Sequence, residues 1–411
     1  MRFMWAGTGD ERHGQRADGL DDVADSLEIE ESGSDRKGKI MKILVTGNMG
    51  YVGPGVVRQL RYSHPTASIL GLDLGFFAQC LTMNGGLFPE CRVDLQYFED
   101  VRNVSEALLE GIDAIVHLAA ISNDPMGNCF EEATLDINYR ASVELARKAK
   151  SAGVRAFVFA SSCSVYGLAD EGPRTELSAV NPLTAYAKSK VFTERELASL
   201  ADSAFKVTCL RFGTACGMSD RLRLDLVLND FVASGVALKR IVILSDGTPW
   251  RPLISVKDMA RAIDWAVSRD PGTSGDFLVV NAGSDRWNFQ VKDLSAAVAR
   301  VLSGVEVSIN SGAQPDKRSY RVDFSRYRAL APNHQPKADL ETTILELKEG
   351  LKAIGFQNTD FRNSAYMRLN VLKQLCSRGW LTDQLEWSPV VRGVRGNRRE
   401  GVVKQSARRV A

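Results

Sequence analysis

The chain has 411 residues, 44% of them apolar, and a formal net charge of +2. That is ample for a sizeable core and too neutral for a broad nucleic-acid footprint, so no nucleic-acid partner is expected. No apolar run approaches the ~18–20 residues of a membrane span. The amino-terminal stretch also lacks the apolar core of a secretory signal, so a cytoplasmic protein without a membrane partner is expected.

Seven cysteines without a CxxC pair argue against a disulfide framework. Four histidines without HxxxH or HExxH spacing argue against a dedicated zinc site. The charge is uneven. Residues 1–40 hold six Lys/Arg against ten Asp/Glu, and residues 390–411 hold seven Lys/Arg against one Glu. Both ends lack apolar periodicity. We read 1–40 as a disordered acidic extension and 389–411 as a disordered basic tail.

Strand and helix patterns alternate from Met41 onward. Lys42–Thr46 reads as a strand and Val52–Tyr62 as a helix. Ser68–Leu72 and Ala114–Leu118 read as strands, and Thr134–Ser151 as one long helix. Phe157–Ala160 is a further strand, Ala185–Leu200 a helix and Lys206–Arg211 a strand. Near-continuous apolar strands alternating with helices predict an α/β fold, a parallel sheet covered on both faces. The rhythm breaks after Arg211. The expected organisation is therefore 41–212 as a nucleotide-binding domain and 213–388 as a smaller, irregular substrate domain. Some segments of the latter return to the first sheet.

The first strand runs into Gly47-Asn48-Met49-Gly50-Tyr51-Val52-Gly53, which opens a helix. Glycines there permit a tight turn and let a pyrophosphate approach backbone N–H groups at a helix N-terminus. The spacing is GxxGxxG, and its weight comes from context: strand before, helix after, and Asp73 at the end of the second strand. A carboxylate at that place accepts hydrogen bonds from ribose hydroxyls and repels a 2′-phosphate, which favours NAD over NADP.

Two further stretches carry chemistry. Tyr186 and Lys190 stand four apart in a helical pattern and share a face. A phenol ionises near pH ~10, and an adjacent ammonium lowers that value, so the pair is expected to act as a proton acceptor near neutrality. The second stretch is Ser161-Ser162-Cys163-Ser164-Val165-Tyr166-Gly167, small polar residues closing a buried strand.

Together with Val116-His117-Leu118-Ala119-Ala120 and Asn138, these motifs resemble the extended short-chain dehydrogenase/reductases. More narrowly, residues 41–355 are similar to the nucleotide-sugar epimerase/dehydratase group, UDP-glucose 4-epimerases among them. The resemblance implies a Rossmann-type doubly wound sheet, bound NAD and a homodimer packed through helices. By residue, it implies that Gly47, Met49, Gly50, Val52 and Gly53 line the pyrophosphate. Asp73 holds the adenosine ribose, Asp100 and Val101 lie beside the adenine, and Ala119 and Ala120 run along the cofactor. Tyr186 is the acid/base, Lys190 holds the nicotinamide ribose, and Ser162 is the catalytic hydroxyl. His117 and Asn138 are expected to be structural.

The same resemblance narrows the reaction. Dehydratases of this group carry carboxylates where this chain has Cys163 and Ser164. An NAD-dependent nucleotide-sugar epimerase acting at C4 through a 4-keto intermediate is therefore expected. The alternative is an NAD(P)H-dependent 4-ketoreductase of a 4-keto-6-deoxyhexose nucleotide; a non-catalytic NAD-sensing protein is disfavoured because that class usually loses the Tyr or the Lys, and Tyr186 and Lys190 are both present. Arg251 and Arg318 fall where the resemblance implies diphosphate-binding arginines, with Arg223 and Asn229 as further substrate contacts. Many epimerases read Arg-Tyr-Phe-Asn after the sixth strand. This chain reads Arg211-Phe212-Gly213-Thr214, so Thr214 takes the place of that asparagine.

Overall fold

Ile43, Leu44 and Val45 are all fully buried, yet they belong to two different cores. Successive side chains of a strand point to opposite faces, so a strand covered on both sides is apolar throughout. A computed structural model describes residues 40–82, 87–168, 172–310, 312–313, 319–389, 391 and 393. The acidic extension up to residue 39 and nearly all of the basic tail lie outside the described residues.

Seven strands form the main sheet: β1 (Lys42–Thr46), β2 (Ser68–Leu72), β3 (Leu95–Tyr97), β4 (Ala114–His117), β5 (Ala156–Ser162), β6 (Lys206–Phe212) and β7 (Phe277–Ala282). Their spatial order is β3-β2-β1-β4-β5-β6-β7, and every neighbouring pair is parallel. This is the doubly wound arrangement. Its order reverses between β1 and β4, and ligands of such sheets bind outside the strand ends at that reversal. Ala114, Val116, Ala156 and Val158 join the core of Ile43 and Val45, whereas Ile115, Phe157 and Phe159 join that of Leu44.

Two helices matter most for the site. Gly53–Ser63 follows β1 with Pro54 in its first turn and no side-chain cap. Ala185–Leu200 is capped by Thr184, whose Oγ1 accepts the Ala187 N–H at 3.2 Å. The long helix expected over Thr134–Ser151 starts earlier and is interrupted. An α segment Glu131–Leu135 passes through a π segment, Asp136–Arg140, into the α-helix Ala141–Ser151. Asn138 sits in the π segment. Its Oδ1 accepts the Ile121 N–H at 2.8 Å, and its Nδ2 donates to the Ile121 carbonyl at 2.9 Å. Its own carbonyl accepts from the Ser142 and Thr193 hydroxyls, at 2.8 and 3.0 Å.

The second half supplies small sheets. Thr214–Cys216, Trp250–Ser255 and Asn288–Gln290 make three strands; Arg240–Ile243 pairs with Glu306–Ile309, and Pro173–Arg174 with Arg321–Val322. Two segments go back to the first half. One is β7. The other is residues 356–389, which include the helix Arg368–Ser377 and end with Trp387 Nε1 donating to the Leu74 carbonyl at 2.9 Å.

Candidate active site

A cleft of ≈ 690 Å³ opens at the carboxyl ends of β1, β2, β4, β5 and β6, where the strand order reverses. The glycine loop forms one wall. Gly47 has φ +75°, and a Cβ there would lie 2.6 Å from the Ala119 nitrogen. A Cβ on Gly53 would lie 2.2 Å from the Asn48 carbonyl oxygen. Only glycine lets the loop pack this closely against β4 and fold on itself. Asn48 Nδ2 donates to Gln96 Oε1 at 2.6 Å, which ties the loop to β3. The first turn of the helix Gly53–Ser63 carries no acidic residue, so its N–H groups and dipole form a cradle for an anion.

Gly47, Gly50, Val52, Gly53, Asp73, Asp100, Val101, Ala119 and Ala120 all line this cleft. Met49 does not. Its side chain is buried, and its N–H donates to Asp73 Oδ2 at 3.1 Å, so it orients the acid. The other Asp73 oxygen accepts the Gly75 N–H at 2.7 Å. Burial raises the Asp73 pKa, and these two donors oppose the rise. The Asp100 carboxylate is engaged by Arg102, with Nη2 at 2.6 Å and Nε at 3.0 Å, and caps the turn Val101–Asn103. The residues present fit a dinucleotide: a cradle that side chains would fill, and a carboxylate facing the cleft beside it.

The opposite wall holds Ser162, Tyr186 and Lys190. Tyr186 stands beside Ser162, whose hydroxyl lowers the pKa of the phenol. The Ser162 hydroxyl also accepts the Ser164 N–H at 3.1 Å, which fixes it at the end of β5. Lys190 Nζ donates to the Ala160 carbonyl at 2.8 Å and lies 5.6 Å from the centre of the Tyr186 ring. The three expected residues are therefore together.

The expected electrostatics need correction. Burial pushes the Tyr186 pKa up to about 12; the Ser162 hydrogen bond lowers it, Asp124 raises it and Arg223 lowers it. Burial likewise pulls Lys190 down to about 8, against Glu194. Burial therefore works against the neutral-pH phenolate expected from the Tyr186–Lys190 spacing, and what opposes it comes from Ser162 and Arg223.

The rest of the serine-rich stretch is structural or apolar in character. Ser161 donates to Glu194 Oε1, which is forked with Arg211. The Cys163 thiol is fully buried, donates to the Arg211 carbonyl at 3.3 Å, and is pushed up in pKa by burial. It has the character of a core thiol, not a nucleophile. The Ser164 hydroxyl lies buried at the cleft without a hydrogen-bond partner. His117 is neutral: burial pulls it down to about 3, and its nitrogens pair with Thr46 Oγ1 and Ser142 Oγ, both at 2.7 Å.

Of the expected substrate residues, Thr214, Arg223 and Arg251 line the cleft. Arg223 is held by Asp225 at 2.7 and 3.0 Å and donates to Ser122 Oγ at 2.9 Å. Asn229 does not reach the cleft. It is fully buried, accepts the Gly217 N–H at 3.0 Å and donates to the Arg223 carbonyl at 2.9 Å, so it supports Arg223 from behind. Arg318 lies outside the described residues.

Sequence reasoning missed Ser122, Asp124, Asp225 and Arg368, which also line the cleft. Asp124 accepts from the Thr184 hydroxyl at 2.7 Å, beside the Tyr186 helix. An Asn-Asp-Pro turn after the fourth strand was its one visible signal, since it marks a helix start. Among the described residues, no group of three or more His, Cys, Asp or Glu is placed to hold a metal. No described helix is long and apolar enough to cross a membrane.

Residues 43–283 match the sequence model of the NAD dependent epimerase/dehydratase family. The UDP-glucose 4-epimerase of Lactobacillus helveticus is 32% identical over 325 residues, which cover 74% of this chain and 96% of that one. The UDP-glucose epimerase YtcB of Bacillus subtilis (strain 168), itself uncharacterised, is 29% identical over 274 residues, 65% of this chain and 81% of that one. Among solved structures, MoeE5 in complex with UDP-glucuronic acid and NAD superposes with a TM-score of 0.63 at 26% identity, covering 76% of this chain and 99% of the other. TunA, an NDP-hexosamine 5,6-dehydratase, gives 0.65 at 24% identity over 77% of this chain and 100% of that one, a likeness of fold.

Proposed function

Since the chain belongs to the NAD dependent epimerase/dehydratase family and is an NAD-dependent enzyme, we propose that it epimerises a nucleotide-sugar at C4. The observation that carries this reading is the placing of Ser162 and Tyr186 together at the cleft, flanked by Cys163 and Ser164 where dehydration would need carboxylates. The UDP-glucose 4-epimerase among its relatives supports a UDP-hexose as the substrate class.

Gly47, Gly50, Val52 and the first turn of the helix Gly53–Ser63 receive the cofactor's diphosphate, and Asp73 accepts its ribose hydroxyls. When bound, NAD supplies the hydride acceptor and, in its oxidised form, a positive charge that favours the phenolate as Arg223 does. Tyr186 takes the proton of the C4 hydroxyl as that carbon becomes a ketone, and returns it after the sugar has presented its other face. Ser162 bonds the same oxygen through the change of charge. Arg251 meets the substrate diphosphate with its guanidinium, and Arg223, whose fork is held by Asp225, adds positive charge to the same wall.

A panel of nucleotide-sugars, incubated with and without NADH and resolved by chromatography, tests this. UDP-glucose and UDP-galactose are expected to interconvert without added NADH. Turnover only with NADH, one equivalent consumed per product, would overturn the proposal in favour of a 4-ketoreductase.

A further inference from the structure

Residues 356–389 cross back onto the first half of the molecule and are tied there repeatedly. The Cys80 thiol donates to the Ala365 carbonyl at 3.2 Å. Arg102 donates to the Gln384 carbonyl at 2.8 Å, and the Trp387 ring meets Phe76 edge-on at 5.4 Å. Through this segment Arg368, the first residue of its helix, reaches the wall of the cleft.

Arg368 is 2% exposed, and its guanidinium lies 4.5 Å from the centre of the Phe77 ring. Nη2 donates to the Arg221 carbonyl at 3.0 Å, whereas Nη1 is buried with no hydrogen-bond partner. Its arginine neighbours are matched by carboxylates: Arg221 pairs with Glu90 at 2.6 Å, and Arg223 is forked on Asp225. Burial pulls the Arg368 pKa down to about 10; Cys80 and Asp225 oppose the fall and Arg223 and Arg221 add to it, so it is still a cation at neutral pH. A buried guanidinium with an unused donor is costly unless an anion arrives to meet it.

The residues around it choose between the two diphosphates that the cleft is read to hold. Phe77, Phe76 and Leu74 follow directly on Asp73, the ribose acid, and line the cleft with Arg368. Thr214 and Arg251 belong to the small sheet of the second half. We infer that Arg368 is a binding residue for the diphosphate of the dinucleotide, carried to it by the carboxy-terminal segment. The inference rests on the reading of the glycine loop as the dinucleotide site. It does not depend on which reaction the enzyme performs, because its readout is binding.

The test uses the full chain stripped of cofactor. Dissociation constants for NAD, ADP-ribose, adenosine and UDP are measured by calorimetry for the wild type, Arg368→Met and Arg368→Lys. Arg368→Met is expected to weaken NAD and ADP-ribose by about 10–100-fold, the loss of a charge-assisted hydrogen bond. Adenosine and UDP should stay within about twofold by the same reasoning, and Arg368→Lys should recover part of the loss. Weaker UDP with unchanged NAD would assign Arg368 to the sugar nucleotide and overturn the inference. An equal effect on all four ligands, or none, would make the residue merely structural and overturn it too. Should Arg368→Met fail to fold, hydrogen exchange of the wild type decides. NAD and ADP-ribose, but not adenosine or UDP, are expected to slow exchange across 365–377; no slowing contradicts the inference.

Discussion

Tyr186 and Lys190 move in opposite directions for one reason. Burial disfavours the charged form of each, so the phenol rises to about 12 and the ammonium falls to about 8. Tyr186 must lose its proton to act as a base, so the oxidative half-reaction is expected to speed up as pH rises below its working pKa. Ser162 lowers that pKa. In Ser162→Ala, kcat should fall by about 10²-fold, and the rising limb of its pH profile should move to higher pH; a profile that keeps its position would refute the role. Tyr186→Phe should cost about 10³-fold in turnover while NAD still binds, which stopped-flow rates and a binding isotherm together check. The residue types were legible in the sequence because Tyr-x-x-x-Lys and the serine-rich strand end are short, local patterns. Their proton affinities were not, because burial is made by side chains from β4, β5 and the helix Ala185–Leu200. Arg368 was illegible altogether: nothing beside it in the chain points to a cleft built by residues far away in sequence.

Between elements, buried polar pairs do the joining. His117 on β4 links Thr46 on β1 to Ser142 on the long helix, and its pKa falls to about 3 from an ordinary value near 6.5. The unfolded chain therefore binds the proton more readily across that window, so stability is present above pH 6.5 and is lost as pH falls towards 3. Urea midpoints between pH 7.5 and 5 should decline less steeply in His117→Gln than in the wild type, and equal slopes would contradict this. Glu194 on the helix Ala185–Leu200 and Arg211 on β6 are both buried, and Tyr166 extends the pair to Asn281 on β7. Arg211→Met should destabilise the fold by about 3–5 kcal/mol, because it leaves a buried carboxylate unpaired. The double change with Glu194→Leu should recover much of that loss in denaturant titration. The elements of the first half could be read because strands buried on both faces are long apolar runs. β3 is three residues long and partly exposed, and all but one of the small-sheet strands described have two to four residues, so a period of alternation had little room to show. The π segment escaped for a related reason: one widened turn does not disturb an apolar stripe enough to be seen.

At the scale of the molecule, the sheet order β3-β2-β1-β4-β5-β6-β7 decides where chemistry takes place, because its reversal leaves a crevice at the ends of β1 and β4. The glycine loop, Asp73 and the Ser162–Tyr186 pair come from different strand ends and meet only there. The alternation of elements foretold a parallel sheet covered on both faces, not where its order reverses. A return of later segments to the first sheet was expected, but not that β7 makes it beside β6 or that residues 356–389 cross back, since both depend on contacts between residues far apart in sequence. The central claim is that this crevice moves one hydride off sugar C4 and puts the same hydride back. A UDP-hexose carrying deuterium at C4, incubated in ordinary water without NADH, tests it most directly. The expected result, read by NMR and mass spectrometry, is the C4-inverted sugar with deuterium still at C4. Deuterium at C6, deuterium lost from C4 to water, or product formed only when NADH is supplied, would contradict it.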